Sequence, residues 1–182
     1  MKSLRILNSL LTLFLILLVI SIPILIIASV SILSDIENNT SYLKILNQNK
    51  SINDYKYIIV LYYTITLICC TLNVYGVYLI KQNVTRFTNL ELFTKNVINN
   101  FYKTGWVFII SFISLKILTI FIQIDAGFIT NQVNFDIINF TLNPINGLII
   151  GILFLILSKV FEIAKKQKEE NIKLKQENEL TI

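Results

Sequence analysis

Residues 6–34, 57–80 and 137–158 contain no charged side chain at all. Each run is longer than the ~20 residues a helix needs to cross the hydrocarbon of a bilayer. A fourth run, residues 104–124, is broken only by Lys116, whose neighbours Phe108, Ile109, Phe112, Ile117 and Phe121 all suit lipid. A helix satisfies each backbone N–H and C=O within itself, so runs of this length predict helices that span. The expected fold is an all-α membrane protein: a four-transmembrane-helix bundle forming one membrane domain over residues 1–182. Its spans lie at approximately 8–33, 57–80, 105–124 and 143–161, and a helical cytoplasmic C-terminal tail covers 162–182.

Composition agrees with that reading. The chain is 54% hydrophobic and only 15% charged, too apolar for an ordinary soluble domain. Its net charge of +5 could suit nucleic acid, but the bases flank apolar runs. Attraction to an anionic membrane surface accounts for them, and no direct nucleic-acid contact is expected. Abundant Ile, Asn and Lys with few Gly and Pro resembles proteins of AT-rich bacterial genomes, which points to the bacterial cytoplasmic (inner) membrane. The first run could be a signal peptide, but such apolar regions are about 7 to 15 residues long and end in a small-residue cleavage site. Leu33-Ser34-Asp35 supplies none, so an uncleaved helix is expected, kinked at Pro23.

Orientation follows from the bases, which cytoplasmic segments retain during insertion. With the N-terminus inside, the cytoplasmic side holds Lys2, Arg5, Lys81, Arg86, Lys95, Lys103 and every base from Lys159 onward. Only Lys44, Lys50 and Lys56 fall outside, in the loop 34–56, and the second outer loop carries Asp125 and Asp136 with no base. Both termini are therefore expected in the cytoplasm.

No enzyme is expected. The chain has no histidine, hence no imidazole metal site and no Ser-His-Asp arrangement. It has no GxxxxGK phosphate loop, and its acids lie in loops or the tail. Cys69 and Cys70 are adjacent within an apolar run, where they read as packing residues. Catalytic residues, metal ligands and cofactors are all expected to be absent.

Within lipid, small and weakly polar residues mark the faces where helices meet. One such stripe holds Tyr62, Thr66, Cys69, Asn73 and Gly76; another holds Asn143, Gly147, Gly151 and Ser158, with Gly147 and Gly151 forming a GxxxG pair. That pair serves either packing within the chain or a homo-oligomer seam. A third stripe places Lys116, Thr119 and Gln123 on one face of the third span. An intramembrane lysine is a functional candidate by default. Lys116 could tune packing, or could line the polar path of a small transporter or channel component with Asn73 opposite.

Two further segments stand out beyond the spans. In the first, Thr94 is placed to cap a helix whose Val97, Ile98, Phe101 and Tyr102 share a face expected in the membrane interface. In the tail, opposite charges recur four residues apart, among them Glu162 and Lys166, Lys165 and Glu169, and Lys175 and Glu179, which supports a helix leaving the bilayer. It is either a solvated helix or a docking handle.

Phe93-Thr94-Lys95-Asn96, Gly105-Trp106, Val160-Phe161 and the closing Glu177-Asn178-Glu179-Leu180-Thr181-Ile182 together resemble the YoaS-like family, small bacterial four-span membrane proteins of unknown function. The chain departs from that pattern at Leu92, where a proline is common, and in a tail about two turns longer. Genes of such proteins often neighbour one for a small helix-turn-helix regulator. The resemblance therefore implies a partner of that kind, contacted through Glu177, Asn178, Leu180, Thr181 and Ile182, besides the lipid bilayer itself.

Overall fold

The computed structural model describes residues 2–37, 52–125 and 144–179. Four helices account for almost all of them: α1 (Lys2–Glu37), α2 (Ile52–Thr88), α3 (Lys95–Asp125) and α4 (Pro144–Glu179). No strand occurs among the described residues. All four helices are long and apolar enough to cross a membrane, and they pack as a four-helix bundle. Residues 38–51 and 126–143, with Asp136 and Asn143, lie outside the described residues, as do Leu180, Thr181 and Ile182.

Each helix runs beyond its expected span. The 36 residues of α1 and of α4 each extend about 54 Å, against roughly 30 Å of hydrocarbon. The segment before the third span is likewise no separate element, because α3 runs unbroken from Lys95 to Asp125. Its Val97 and Phe101 are 0% and 6% exposed, so that face packs into the bundle core rather than lying open to lipid. Only Tyr102, on the far side, points outward, edge-on to Trp106.

Packing follows chain order, with α1 on α2, α2 on α3 and α3 on α4, so α3 is the central helix. α1 continues through Pro23 as one helix. It turns a stripe of Leu4, Asn8, Leu11, Leu15, Leu18, Ile22, Leu25 and Ser29 inward, at alternating intervals of four and three residues. That is the seven-residue repeat of knobs-into-holes packing, and it leaves Ile16, Ile20, Ile27 and other large side chains outside.

The α2–α3 register is set by the Cys69 thiol, 3.7 Å from the Ser111 carbonyl, and by the Asn83 amide donating to the Val97 carbonyl at 3.3 Å. Between α3 and α4 the backbones themselves touch. A Cβ on Gly105 would lie 2.8 Å from the Gly151 carbonyl oxygen, and one on Gly151 would lie 2.9 Å from that of Gly105. Gly147, by contrast, leaves ordinary contact space, with Phe112 Cβ at 3.5 Å. The GxxxG pair thus faces α3 of its own chain.

Candidate functional site

The richest chemistry gathers at the end of the bundle that holds the α2–α3 turn. α2 ends there in a double hydrogen-bonded cap: the Glu91 amide donates to the Arg86 carbonyl at 3.0 Å and the Leu90 amide to the Phe87 carbonyl at 3.2 Å. Such a cap places one residue in the left-handed region, usually glycine. Here it is Leu90, with φ at 64°. A left-handed leucine crowds its Cβ against the following carbonyl, and this one is 72% exposed, so little packing offsets the strain. Leu90→Gly is therefore expected to raise stability by about 0.5–1 kcal/mol, less what the freer unfolded chain takes back, read from the unfolding midpoint in detergent.

Thr94 begins α3, its hydroxyl accepting from the Val97 amide at 3.4 Å while its carbonyl accepts from Ile98. Behind this cap lies a polar junction. The Asn100 amide donates to Gln82 Oε1 at 2.8 Å and to Asn83 Oδ1 at 2.9 Å. Asn83 is 1% exposed and passes its own amide proton to Val97. Thr104 donates to the Asn100 carbonyl, and Ser158 of α4 donates to the Ile98 carbonyl at 2.9 Å. Rings close the junction from the other side. Phe87 stacks on Phe161 with centroids 5.8 Å apart, and Phe93, Phe101 and Phe154 pack around them. Three helices are thereby joined where α4 leaves the bundle.

From that exit α4 continues as an unbroken extension of the same helix. Every residue from Lys166 to Glu179 is exposed, including the apolar Ile172 and Leu174. Lys165 pairs with Glu169 at 3.6 Å and Lys175 with Glu179 at 3.9 Å, while Glu162 turns back to Lys159 at 2.8 Å. Such exposed pairs support helicity by a few tenths of a kcal/mol each. The N-terminus shares this end of the bundle, since Thr85 sits 3.5 Å from Asn8 of α1.

The intramembrane residues are not gathered in the same way. Lys116 is exposed on the bundle surface. Asn73 is half-buried on α2 and, by the register of Cys69 with Ser111, lies level with Val107. That separates it from Lys116 by nine residues, about 13 Å along α3. The side chains of Thr119 and Gln123 lie outside the described residues. Among the terminal candidates, Asn178 is exposed at the tip of the helix, and Glu177 is exposed beside it.

Sequence reasoning overlooked Gln82, Asn83 and Asn100. They sit beyond Lys81, where the loss of apolar character reads as a connection between spans. Alternation of Asn with Val and Phe at helical spacing was the available signal. Among the described residues no cluster of acidic, cysteine or histidine side chains could hold a metal ion.

A family profile described as "Protein of unknown function (DUF2975)" matches residues 44–182, which takes in α2, α3 and α4. No curated protein and no solved structure matches the chain.

Proposed function

Because the chain belongs to the DUF2975 family, whose function is unknown, we propose its role from its geometry: a non-enzymatic protein of a bacterial inner membrane whose helical tail docks a cytoplasmic protein. One observation supports this above others. α4 passes from its span to Glu179 without a break, and from Lys166 onward no face of it is covered by the bundle. About 20 Å of helix thus stands clear of the bundle, anchored at its base by the Ser158 hydrogen bond and the Phe161 rings. A helix held rigid at one end pays little further ordering entropy when a partner binds it, which is what a docking element requires.

Orientation rests on the distribution of bases, which puts the tail and the N-terminus in the cytoplasm. Their common end of the bundle is compatible with this arrangement. The partner class comes from the YoaS-like resemblance, which implies a small helix-turn-helix regulator reached through Glu177, Asn178, Leu180, Thr181 and Ile182. Ile172 and Leu174, 49% and 56% exposed, add apolar surface on opposite sides of the helix between that segment and the membrane.

The test is photocrosslinking of the full chain in its native cell, with a photoreactive residue at Leu174 or Leu180 and mass spectrometry of the adducts. The expected product is an adduct with a helix-turn-helix protein from either position, and the adduct from Leu174 is expected to disappear when Leu180 and Thr181 are replaced by alanine. Adducts with lipid or with the chain itself, and none with such a regulator, would overturn the proposal.

A further inference from the structure

The turn end of α2 carries an open cavity of about 400 Å³, lined by Tyr78, Lys81, Gln82, Thr85, Arg86 and the turn residues Asn89 and Glu91. We infer that this cavity binds a phosphate group carrying negative charge, held between Lys81 and Arg86, and that its source is the headgroup of an acidic lipid.

Three features support this. The first is unspent positive charge. Lys81 is half-buried and has no ion-pair partner among the described residues. Arg86 has Glu91 at 3.6 Å, beyond the roughly 2.7–2.9 Å of a strong charge-assisted hydrogen bond, so one distant carboxylate faces two cations. The second is unspent donor capacity. The Arg86 Nε is buried with no hydrogen-bond partner among the described residues. Gln82 has its oxygen engaged by Asn100, which leaves its amide group free to donate. Thr85 does not contribute a proton, because its hydroxyl already donates to the Lys81 carbonyl at 3.0 Å. A buried guanidinium N–H without an acceptor is costly, and a phosphate oxygen is the acceptor that its geometry suits best.

The third feature is depth. The charge-free run of α2 ends at Ile80, and Tyr78, 50% exposed, stands at the mouth of the cavity. Tyrosine favours the level of the membrane interface. Lys81 and Arg86 follow within the next two turns, at the level where lipid phosphates lie. Basic pockets at the ends of spans select acidic headgroups on the same grounds. The inference is independent of the tail and stands whether or not a protein docks there.

The experiment uses the full-length protein in detergent, titrated separately with phosphatidylglycerol and with inorganic phosphate and read by native mass spectrometry. Wild type is expected to retain one phosphatidylglycerol. Lys81→Gln, which removes no side-chain hydrogen bond or ion pair among the described residues, is expected to weaken that binding about tenfold, or about 1.4 kcal/mol. Arg86→Gln should weaken it at least as much. Lys173→Gln with Lys175→Gln removes twice the charge of either single variant from the exposed tail and should leave it unchanged. Saturable binding of inorganic phosphate with the same dependence on Lys81, with no retained lipid, would overturn the headgroup as source in favour of a soluble phosphate. Lipid binding equal in wild type and Lys81→Gln would overturn the site.

Discussion

Gly151→Ala is expected to force α3 and α4 apart and to cost about 1–3 kcal/mol of bundle stability, while Gly147→Ala, one turn away, costs almost nothing. A Cβ at Gly151 would lie 2.6 Å from Ile109 Cγ1, which can rotate, but also 2.9 Å from the Gly105 carbonyl oxygen and 3.2 Å from the Ile109 amide nitrogen, which belong to backbone. A Cβ at Gly147 meets only Phe112 at ordinary distances. Gly105→Ala should resemble Gly151→Ala, because its Cβ would meet the Gly151 carbonyl at 2.8 Å and Leu155 Cγ at 2.7 Å. Denaturant unfolding in mixed micelles measures all three. The comparison also separates two uses of the GxxxG pair. A seam between copies of the chain would make Gly147 and Gly151 similarly sensitive and would change the oligomeric state. Close packing within the chain makes Gly151 and Gly105 the sensitive pair and leaves the oligomeric state alone.

Asn100→Leu is expected to be comparably damaging, at about 2–4 kcal/mol. It removes two hydrogen bonds, to Gln82 and Asn83, and strands the Asn83 carbonyl oxygen in a site that is 1% exposed. The larger part of the loss comes from that stranded oxygen, since a buried polar atom without a partner costs about 1–3 kcal/mol. The double variant Asn83→Leu with Asn100→Leu should therefore recover part of what the single one loses, because both partners become apolar together. Additive losses in this cycle would show that the two amides do not depend on each other.

How much of this was legible in the sequence differs from helix to helix. The four apolar helices were plain, because lipid tolerates few ionic residues and the charges delimit each run. Thr94 as the start of α3 was readable from its side chain and the pattern after it. The inward stripe of α1 was not, because large aliphatic residues lie on every side of that helix and hydrophobicity cannot distinguish a side chain touching α2 from one touching lipid. Only the polar members Asn8 and Ser29 break the uniformity. Gly151 stood out through its spacing from Gly147, but its counterpart Gly105 did not, being isolated beside Trp106 at the edge of its run. The Asn83–Asn100 junction was hidden for another reason. Lys81 closes the apolar run, so the residues from there to Thr94 read as a connection and the helix after Thr94 as a separate element, whereas α2 continues to Thr88 and α3 runs unbroken from Lys95. Lys116 had the opposite fate: its type and depth drew notice, yet it lies on the surface, away from Asn73.

The chain-order packing of the helices bears on how the protein is made. α1 rests on α2, α2 on α3 and α3 on α4, so each helix finds its neighbour in the segment synthesised just before it. A ribosome feeding this chain into a bilayer would release the helices in the order in which they assemble. The α2–α3 hairpin, closed by a tight turn and the Asn83–Asn100 bond, can form before α4 has been translated. α4 then docks through Gly151, and the stacking of Phe161 on Phe87, which ties the last helix to the second, completes the assembly. Contacts so local in sequence carry little loop-closure cost, and folding of this kind is fast.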